Sequence, residues 1–226
     1  MRIGAKAGIL SAAALLVIAA APTIGWTRTV AITPLGSHLI GNPAAKVRLI
    51  EYVSYTCPHC ARFQTESEGV LQLAYLPSGR IAIEVRHMLR DPIDMTVALM
   101  TNCGSKDKFV LNHSAMLRSQ SAWTAPIANS TSSQRQRWIT GEFAARNRAI
   151  ASDLKLYEAM GTRGYDRTTL DRCLGDKVMA QRLASQTKAG VEAGVTKTPS
   201  FAISGKLLDN TDTWAELRPQ LDESLK

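Results

Sequence analysis

A strand that leads directly into a pair of cysteines is the feature that most constrains the fold of this chain. Residues 46–55 form a nearly continuous run of branched, aliphatic and aromatic side chains, which is typical of a strand covered on both faces. The tetrapeptide Cys-Pro-His-Cys at 57–60 follows, and the apolar residues after it are spaced for one side of a helix: Phe63, Val70, Leu73 and Ala74. Residues 81–85 then alternate apolar and polar side chains. The sequence therefore predicts a β-α-β unit.

The remaining residues add helices and a terminal hairpin to this unit. Residues 91–189 are rich in Ala, Leu, Gln and Arg and are predicted to be helical throughout, except for a polar, Ser-rich loop over 128–137. Strand-like alternation returns around Phe201, and a last amphipathic helix begins where Thr213 and Glu216 have capping-box spacing. The predicted divisions are an α/β domain over 46–90 and 190–226, an all-helical insertion over 91–189 and an N-terminal extension over 22–45.

Residues 1–21 have the pattern of an export signal. Arg2 and Lys6 precede an uncharged apolar run over 7–21, which is short for a membrane-spanning helix and ends in small residues typical of a cleavage site. Pro22 would directly follow that cut, where proline is poorly accepted, so an uncleaved anchor is the alternative. Both interpretations predict an exported domain.

Length and charge exclude several classes of protein. A chain of 226 residues suits one domain, and the excess of Lys and Arg over Asp and Glu, 27 to 19, gives a net charge of +8 that identifies no partner. One arginine cluster lacks interleaved aromatic residues and is predicted to be a solvated helix face, not a nucleic-acid site: Arg135, Arg137, Arg146 and Arg148. Four cysteines are too few for a disulfide-built scaffold, so a bridge must supplement a core or carry out chemistry.

The position of the cysteine pair at a helix start favours redox chemistry. Free N–H groups and the positive end of the helix dipole stabilise a thiolate at Cys57, which makes it a better leaving group when its disulfide is attacked. Pro58 is tolerated in a first helical turn, and a protonated or hydrogen-bonding His59 acts in the same direction as the dipole. The alternatives are a passive Cys57–Cys60 bridge and a solvated His59.

A metal site is the other alternative for these cysteines. Cys103 and Cys173 each stand alone, without a second C-x-x-C or a histidine pair, so half of a zinc site is missing. Two groups of residues are assigned structural roles: His38, His87 and His113, and Trp123, Trp138 and Trp214. We expect no metal and no bound cofactor, because the active disulfide itself carries two electrons.

Glu51 is a carboxylate within an otherwise apolar strand, six residues before Cys57. Burial would raise its pKa, and a partly protonated carboxylate below the disulfide could accept or relay the proton of Cys60. The alternative is a strand residue that points to solvent.

Three features in order resemble the DsbA-like family of exported thiol:disulfide oxidoreductases: the strand with Cys-Pro-His-Cys at 57–60, the helical insertion, and the segment Gly-Val-Thr-Lys-Thr-Pro-Ser-Phe at 194–201. The resemblance extends from about residue 38 to the C-terminus. It implies a thioredoxin fold, in which a central mixed β-sheet is flanked by helices, and a periplasmic location, either soluble after signal cleavage or tethered to the inner membrane.

The resemblance also implies roles for individual residues. Cys57 would be the exposed nucleophile, Cys60 the buried resolving cysteine, and Pro199 a cis-proline packed against the pair. The family has an acidic residue at the position of Glu51. A cis-proline would leave the Thr198 backbone free to pair with an extended substrate peptide.

The expected function is the introduction of disulfides into exported proteins through Cys57 and Cys60. Expected partners are unfolded or reduced exported substrates and a membrane-bound redox protein that recycles the disulfide; no nucleic acid is expected, and the protein should be a monomer. Thr198 departs from the valine frequent in the family, which leaves isomerase or reductase activity open. A peptide-binding chaperone or assembly factor is the alternative from another class.

The two remaining cysteines are predicted to form a structural disulfide. Cys103 and Cys173 lie in a chain with an export signal and an even cysteine count. Two buried free thiols are the alternative.

Overall fold

A mixed six-stranded β-sheet lies at the centre of the computed structural model, which describes residues 25–226. The strands are β1 (Val30–Ile32), β2 (His38–Gly41), β3 (Val47–Val53), β4 (Ile81–His87), β5 (Ser200–Ile203) and β6 (Lys206–Leu207). Their order in the sheet is β1-β2-β4-β3-β5-β6, with β3 and β4 parallel and the other neighbours antiparallel. The predicted α/β fold with a central mixed sheet is confirmed.

Helices cover both faces of the sheet and build the insertion. They are α1 (Pro58–Val70), α2 (Pro92–Thr101), α3 (Phe109–Arg118), α4 (Gln120–Ala128), α5 (Ser132–Ile139), α6 (Phe143–Asp153), α7 (Leu156–Gly161), α8 (Arg167–Leu174), α9 (Lys177–Glu192) and α10 (Trp214–Ser224). Among residues 25–226, no helix is long and apolar enough to cross a membrane. The predicted export signal over 1–21 lies outside the described residues.

The prediction of a loop over 128–137 is wrong, because α5 begins within these residues. The Thr131 side chain accepts a hydrogen bond from the Gln134 N–H, and the Gln134 side chain accepts one from the Thr131 N–H, which completes a capping box. Trp138 is buried and anchors the helix to the core. A polar composition therefore marked a solvated helix face and not a loop.

The predicted apolar side of α1 is wrong at its C-terminal end. Phe63 is buried, but Leu73 is 83% exposed and Ala74 is exposed. The chain continues beyond α1 as a wider π-helical turn over Leu71–Tyr75. Such a turn inserts one residue into the helical register, so the residues buried after α1 are Leu71, Tyr75 and Leu76.

The segments at both ends of the predicted domain contribute to the sheet or cover it. Residues 30–41, in the predicted N-terminal extension, supply β1 and β2, which extend the sheet beyond β4. Helix α9 begins in the predicted insertion and packs closely on the sheet at Gly190, where an added Cβ would overlap the Met88 sulfur. The face that carries Glu51 and Val53 packs instead against α1.

Candidate functional site

The cysteine pair lies where β3 ends and α1 begins. Cys57 has extended backbone and is the N-cap of α1, while Pro58 occupies the first turn, where no intrahelical acceptor is required of its nitrogen. Gln120 at the start of α4 donates hydrogen bonds to the carbonyls of Tyr55, at 2.6 Å, and Cys57, at 2.9 Å. The insertion therefore fixes the backbone that presents Cys57.

A second group from the insertion holds the same loop. Asp94 accepts hydrogen bonds from the Ser54 hydroxyl at 2.6 Å, the Tyr55 N–H at 2.8 Å and the Arg90 N–H at 3.1 Å. Burial raises the pKa of Asp94 to about 7. Neither Asp94 nor Gln120 was predicted as a site residue. The only sequence signal was the Asp-Pro helix start at 91–92, which indicates α2 but not its contacts.

The two cysteines are free thiols with opposite electrostatic environments. A hydrogen bond from the Cys60 thiol, supported by the backbone N–H groups of Cys60 and His59, lowers the pKa of Cys57 to about 5 against the opposing effect of burial. Burial, followed by the hydrogen bond and charge of Cys57, raises the pKa of Cys60 well above its ordinary value. Cys57 therefore ionises at neutral pH while Cys60 keeps its proton.

The loop before β5 lies against the nucleophilic sulfur. In the thiol form, Cys57 Sγ donates to the Thr198 carbonyl at 3.1 Å. The Thr198–Pro199 peptide bond is cis, and Pro199 is buried. Cys57 itself is only 3% exposed, so the expectation of an exposed sulfur is wrong: the loop before β5 and the start of α1 cover it. A substrate sulfur must approach through the surface that these two segments form.

A groove of about 620 Å³ begins at that surface. Its walls come from the start of α1, the segment after β4, the end of α9 and the loop before β5: Pro58, His59, Met88, Leu89, Arg90, Thr187, Val191, Val195, Thr196, Lys197 and Thr198. His59 is exposed on this wall. It reaches the cysteine chemistry through its backbone N–H, whereas its side chain is available to whatever occupies the groove.

Glu51 is buried beneath the pair. It is 4% exposed and lies between Val85 of β4 and Phe201 of β5, so it does not point to solvent. Burial raises its pKa to about 7, and its charge is among the causes that raise the pKa of Cys60. A carboxyl of this pKa can both give and take a proton near neutral pH.

The other two cysteines are bonded to each other. A disulfide joins Cys103, after α2, to Cys173 in α8, with 5.6 Å between the Cα atoms. It closes the insertion on itself.

The sequence model of the thioredoxin family matches residues 33–223. The chain belongs to the thioredoxin family. The chain is similar to a protein from Novosphingobium aromaticivorans whose crystal structure is named as that of a protein-disulfide isomerase. The two sequences are 55% identical, and the structures superpose with a TM-score of 0.81 over 84% of this chain and 98% of that one. The crystal structure of alpha-DsbA1 from Wolbachia pipientis is 17% identical, with a TM-score of 0.66 over 86% and 93%.

Curated relatives of this thioredoxin-family chain are longer than it is. One from Rickettsia bellii, named as a protein-disulfide oxidoreductase, is 24% identical over 174 residues, which cover 76% of this chain and 58% of the relative. The chain thus spans less than two thirds of that relative's length. The predicted resemblance to DsbA-like proteins of the thioredoxin fold is confirmed by the family match and by these structural neighbours.

Proposed function

We propose that this protein is a thiol:disulfide oxidoreductase that introduces disulfides into other proteins through a Cys57–Cys60 disulfide. The observation that carries the proposal is the asymmetric cysteine pair at the start of α1, in which the pKa of Cys57 is lowered to about 5 and that of Cys60 is raised. Exchange favours departure of the thiol of lower pKa, so Cys57 is the sulfur best suited to be released from a mixed disulfide with substrate.

The exchange proceeds in two steps that conserve atoms, charge and electrons. A substrate thiolate attacks Cys57 Sγ, the Cys57–Cys60 bond breaks, and Cys60 leaves with the electron pair and takes a proton from neutral Glu51. A second substrate thiolate then attacks the substrate sulfur of the mixed disulfide, which releases Cys57 as a thiolate. The substrate gains one disulfide and is oxidised by two electrons, while the pair is reduced to a thiolate and a thiol.

The groove beside Cys57 supports protein substrates. It is lined by apolar residues as well as by Arg90 and Lys197, and Thr198, whose carbonyl lies 3.1 Å from Cys57 Sγ, is among its lining residues. An extended peptide can pair with backbone of this kind largely without regard to its own side chains. This suits unfolded or reduced proteins of many sequences.

Export to the periplasm and recycling by a membrane-bound redox protein complete the proposal. The pattern of residues 1–21 supports export, either with signal cleavage or with a tether, and DsbA-like structural neighbours are consistent with it. After each turnover the reduced pair must lose two electrons to an external oxidant. We propose that the protein acts as a monomer, since the groove and the cysteine pair belong to one chain.

Isomerisation is the second candidate function. It is favoured by the name of the Novosphingobium protein, which is 55% identical. An isomerase uses the same Cys57 thiolate but attacks a wrong disulfide with it, so it must rest in the reduced form. The potential of the pair decides between the two functions.

Oxidation of a reduced, unfolded ribonuclease tests the proposal. We expect Cys57→Ser to abolish the catalysed appearance of disulfides, whereas the double substitution of Cys103 and Cys173 by Ala leaves it in place. The second variant is the control, because it also removes cysteines but leaves Cys57 and Cys60 in place. If Cys57→Ser still promotes folding of the substrate as well as wild type, the protein is a peptide-binding chaperone or assembly factor instead.

A further inference from the structure

A cavity of about 50 Å³ lies between α1, α3 and the sheet. Its buried polar lining residues are Gln64 and Ser67 on α1, Glu51 on β3 and His113 on α3, and the last two are each 4% exposed. Glu51 Oε1 and His113 Nε2 have no hydrogen-bond partner within residues 25–226. An unpartnered buried polar atom is costly, so two of them on one cavity wall require an explanation.

The tautomer of His113 follows from its other nitrogen. Nδ1 lies 2.8 Å from the Tyr55 hydroxyl, which is fully buried. Burial raises the pKa of Tyr55 well above its ordinary value, so the phenol keeps its proton and can donate it to Nδ1. Burial also lowers the pKa of His113 to about 3, so the imidazole is neutral. With Nδ1 as acceptor, the ring hydrogen is on Nε2 and points to the cavity as a donor.

Space and polarity suit water at this position. A buried water needs roughly 10–15 Å³ and two to four polar partners, and the cavity offers both. The Ser67 hydroxyl donates to the Phe63 carbonyl at 2.7 Å and so presents lone pairs, and Gln64 adds an amide. At its outer end the cavity is lined by the partly exposed Thr27.

We propose that His113 is a positioning residue for Glu51: its Nε2–H, fixed by Tyr55, donates through water in this cavity to the Glu51 carboxylate. Only the consequence of this inference, proton exchange between Glu51 and Cys60, rests on the proposed function. A hydrogen bond to the ionised carboxyl favours that form and offsets part of the effect of burial.

The other titratable groups around Glu51 come from several elements: Cys60 and Glu68 on α1, Tyr55 after β3, His87 on β4 and His38 on β2. Burial holds the pKa of His38 at about 4 and that of His87 well below its ordinary value, so both are neutral near pH 7. Glu68 is paired with Arg118 at 3.2 Å. In the Cys57–Cys60 disulfide form, Cys60 does not titrate.

The test is an infrared titration of the Glu51 carboxyl in the disulfide form, with Glu51→Gln used to assign its band. In place of His113, Asn puts its side-chain amide near the position of Nδ1, whereas Gln puts its side-chain amide near the position of Nε2. We expect His113→Asn to raise the Glu51 midpoint by about one pH unit, the equivalent of one hydrogen bond to a charged group. His113→Gln should restore a midpoint near that of wild type.

His38→Gln is the matched control, because His38 stacks on Phe109 in the same buried cluster but does not line the cavity. We expect no change in its Glu51 midpoint. An unchanged midpoint in His113→Asn, or the same rise in His38→Gln, overturns the inference.

Nitrogen NMR of the wild-type protein gives a test that needs no folded His113 variant. We expect the Nε2–H tautomer of His113, with an Nε2 resonance that follows the Glu51 titration and stays constant in Glu51→Gln. The Nδ1–H tautomer would overturn the proposal. These measurements involve no substrate, so they can fail while Cys57-dependent exchange stands.

Discussion

Replacing Glu51 by Gln should stabilise the protein in a pH-dependent way. The pKa of Glu51 in the folded protein is about 7, against an ordinary value of 4.5, and the side chain is 4% exposed. Below pH 4.5 the carboxyl is protonated in both states, so its titration has no effect on stability. Between pH 4.5 and 7 the unfolded chain loses this proton first, which destabilises the folded wild type progressively.

The full effect is present above pH 7. A difference of about 2.5 pH units corresponds to roughly 3 kcal/mol of unfolding free energy that wild type loses and Glu51→Gln keeps. Urea unfolding of the disulfide forms between pH 4 and 8 measures this, since the active cysteines then do not titrate. Glu66→Gln, an exposed carboxylate on α1, is the control and should show no comparable trend. A Glu51→Gln stability difference that is the same at pH 4 and pH 8 would refute the burial argument.

The same variant should be slower in exchange although it is more stable. The amide keeps the shape of the carboxyl but cannot give a proton to Cys60, so we expect the rate to fall by about tenfold or more. Stopped-flow reduction between pH 5 and 8 checks this. Rates equal to wild type throughout would leave Glu51 without a role in proton transfer.

Three further predictions concern the cysteines. Replacing Cys103 and Cys173 by Ala should lower the unfolding free energy by up to about 4 kcal/mol, because the bridge closes a loop of 70 residues; thiol counting on the oxidised, denatured protein should find none free, and two would rule the bridge out. The thiolate absorbance of Cys57 should titrate near pH 5, and the stabilisation of the reduced protein that it provides should be lost as the pH falls through 5; a midpoint near 9 would contradict this. Cys60→Ala should accumulate mixed disulfides through Cys57, and trapping through another residue would assign the nucleophile elsewhere.

Local sequence patterns were sufficient for the strand before the cysteine pair, for the start of α1 and for the last helix. The apolar run of β3, the proline tolerated at the start of α1 and the capping box of Thr213 and Glu216 all depend on residues close together in sequence. The resemblance that added Pro199 to the site also rests on a short segment. Such patterns predict which element forms and where it begins.

Long-range contacts were out of reach of the sequence. Glu84 alternates with apolar residues as a solvent-facing strand residue would, yet it is fully buried and accepts hydrogen bonds from Ser37 at 2.6 Å and Arg86 at 2.7 Å. His113 meets Tyr55 across 58 residues of chain, and Gln120 meets Cys57 across 63. Each partner is ordinary in its own segment, and only the packing of the insertion against α1 and β3 makes it part of the site.

The reduction potential of the Cys57–Cys60 pair tests the oxidase proposal most directly. At pH 7 a Cys57 pKa of about 5 stabilises the reduced form relative to an ordinary thiol. This stabilisation of the reduced form is equivalent to about two pH units, which corresponds to roughly 60 mV for a two-electron couple. Thioredoxin, with a thiol pKa near 7 and a potential of about −270 mV, gains little from this effect, so we expect a value above roughly −220 mV here. Equilibration with glutathione, together with unfolding of both redox forms, measures it. A potential above −220 mV and a more stable reduced form are predicted; a value near −270 mV with a more stable disulfide form would contradict net oxidation and favour the reductase or isomerase.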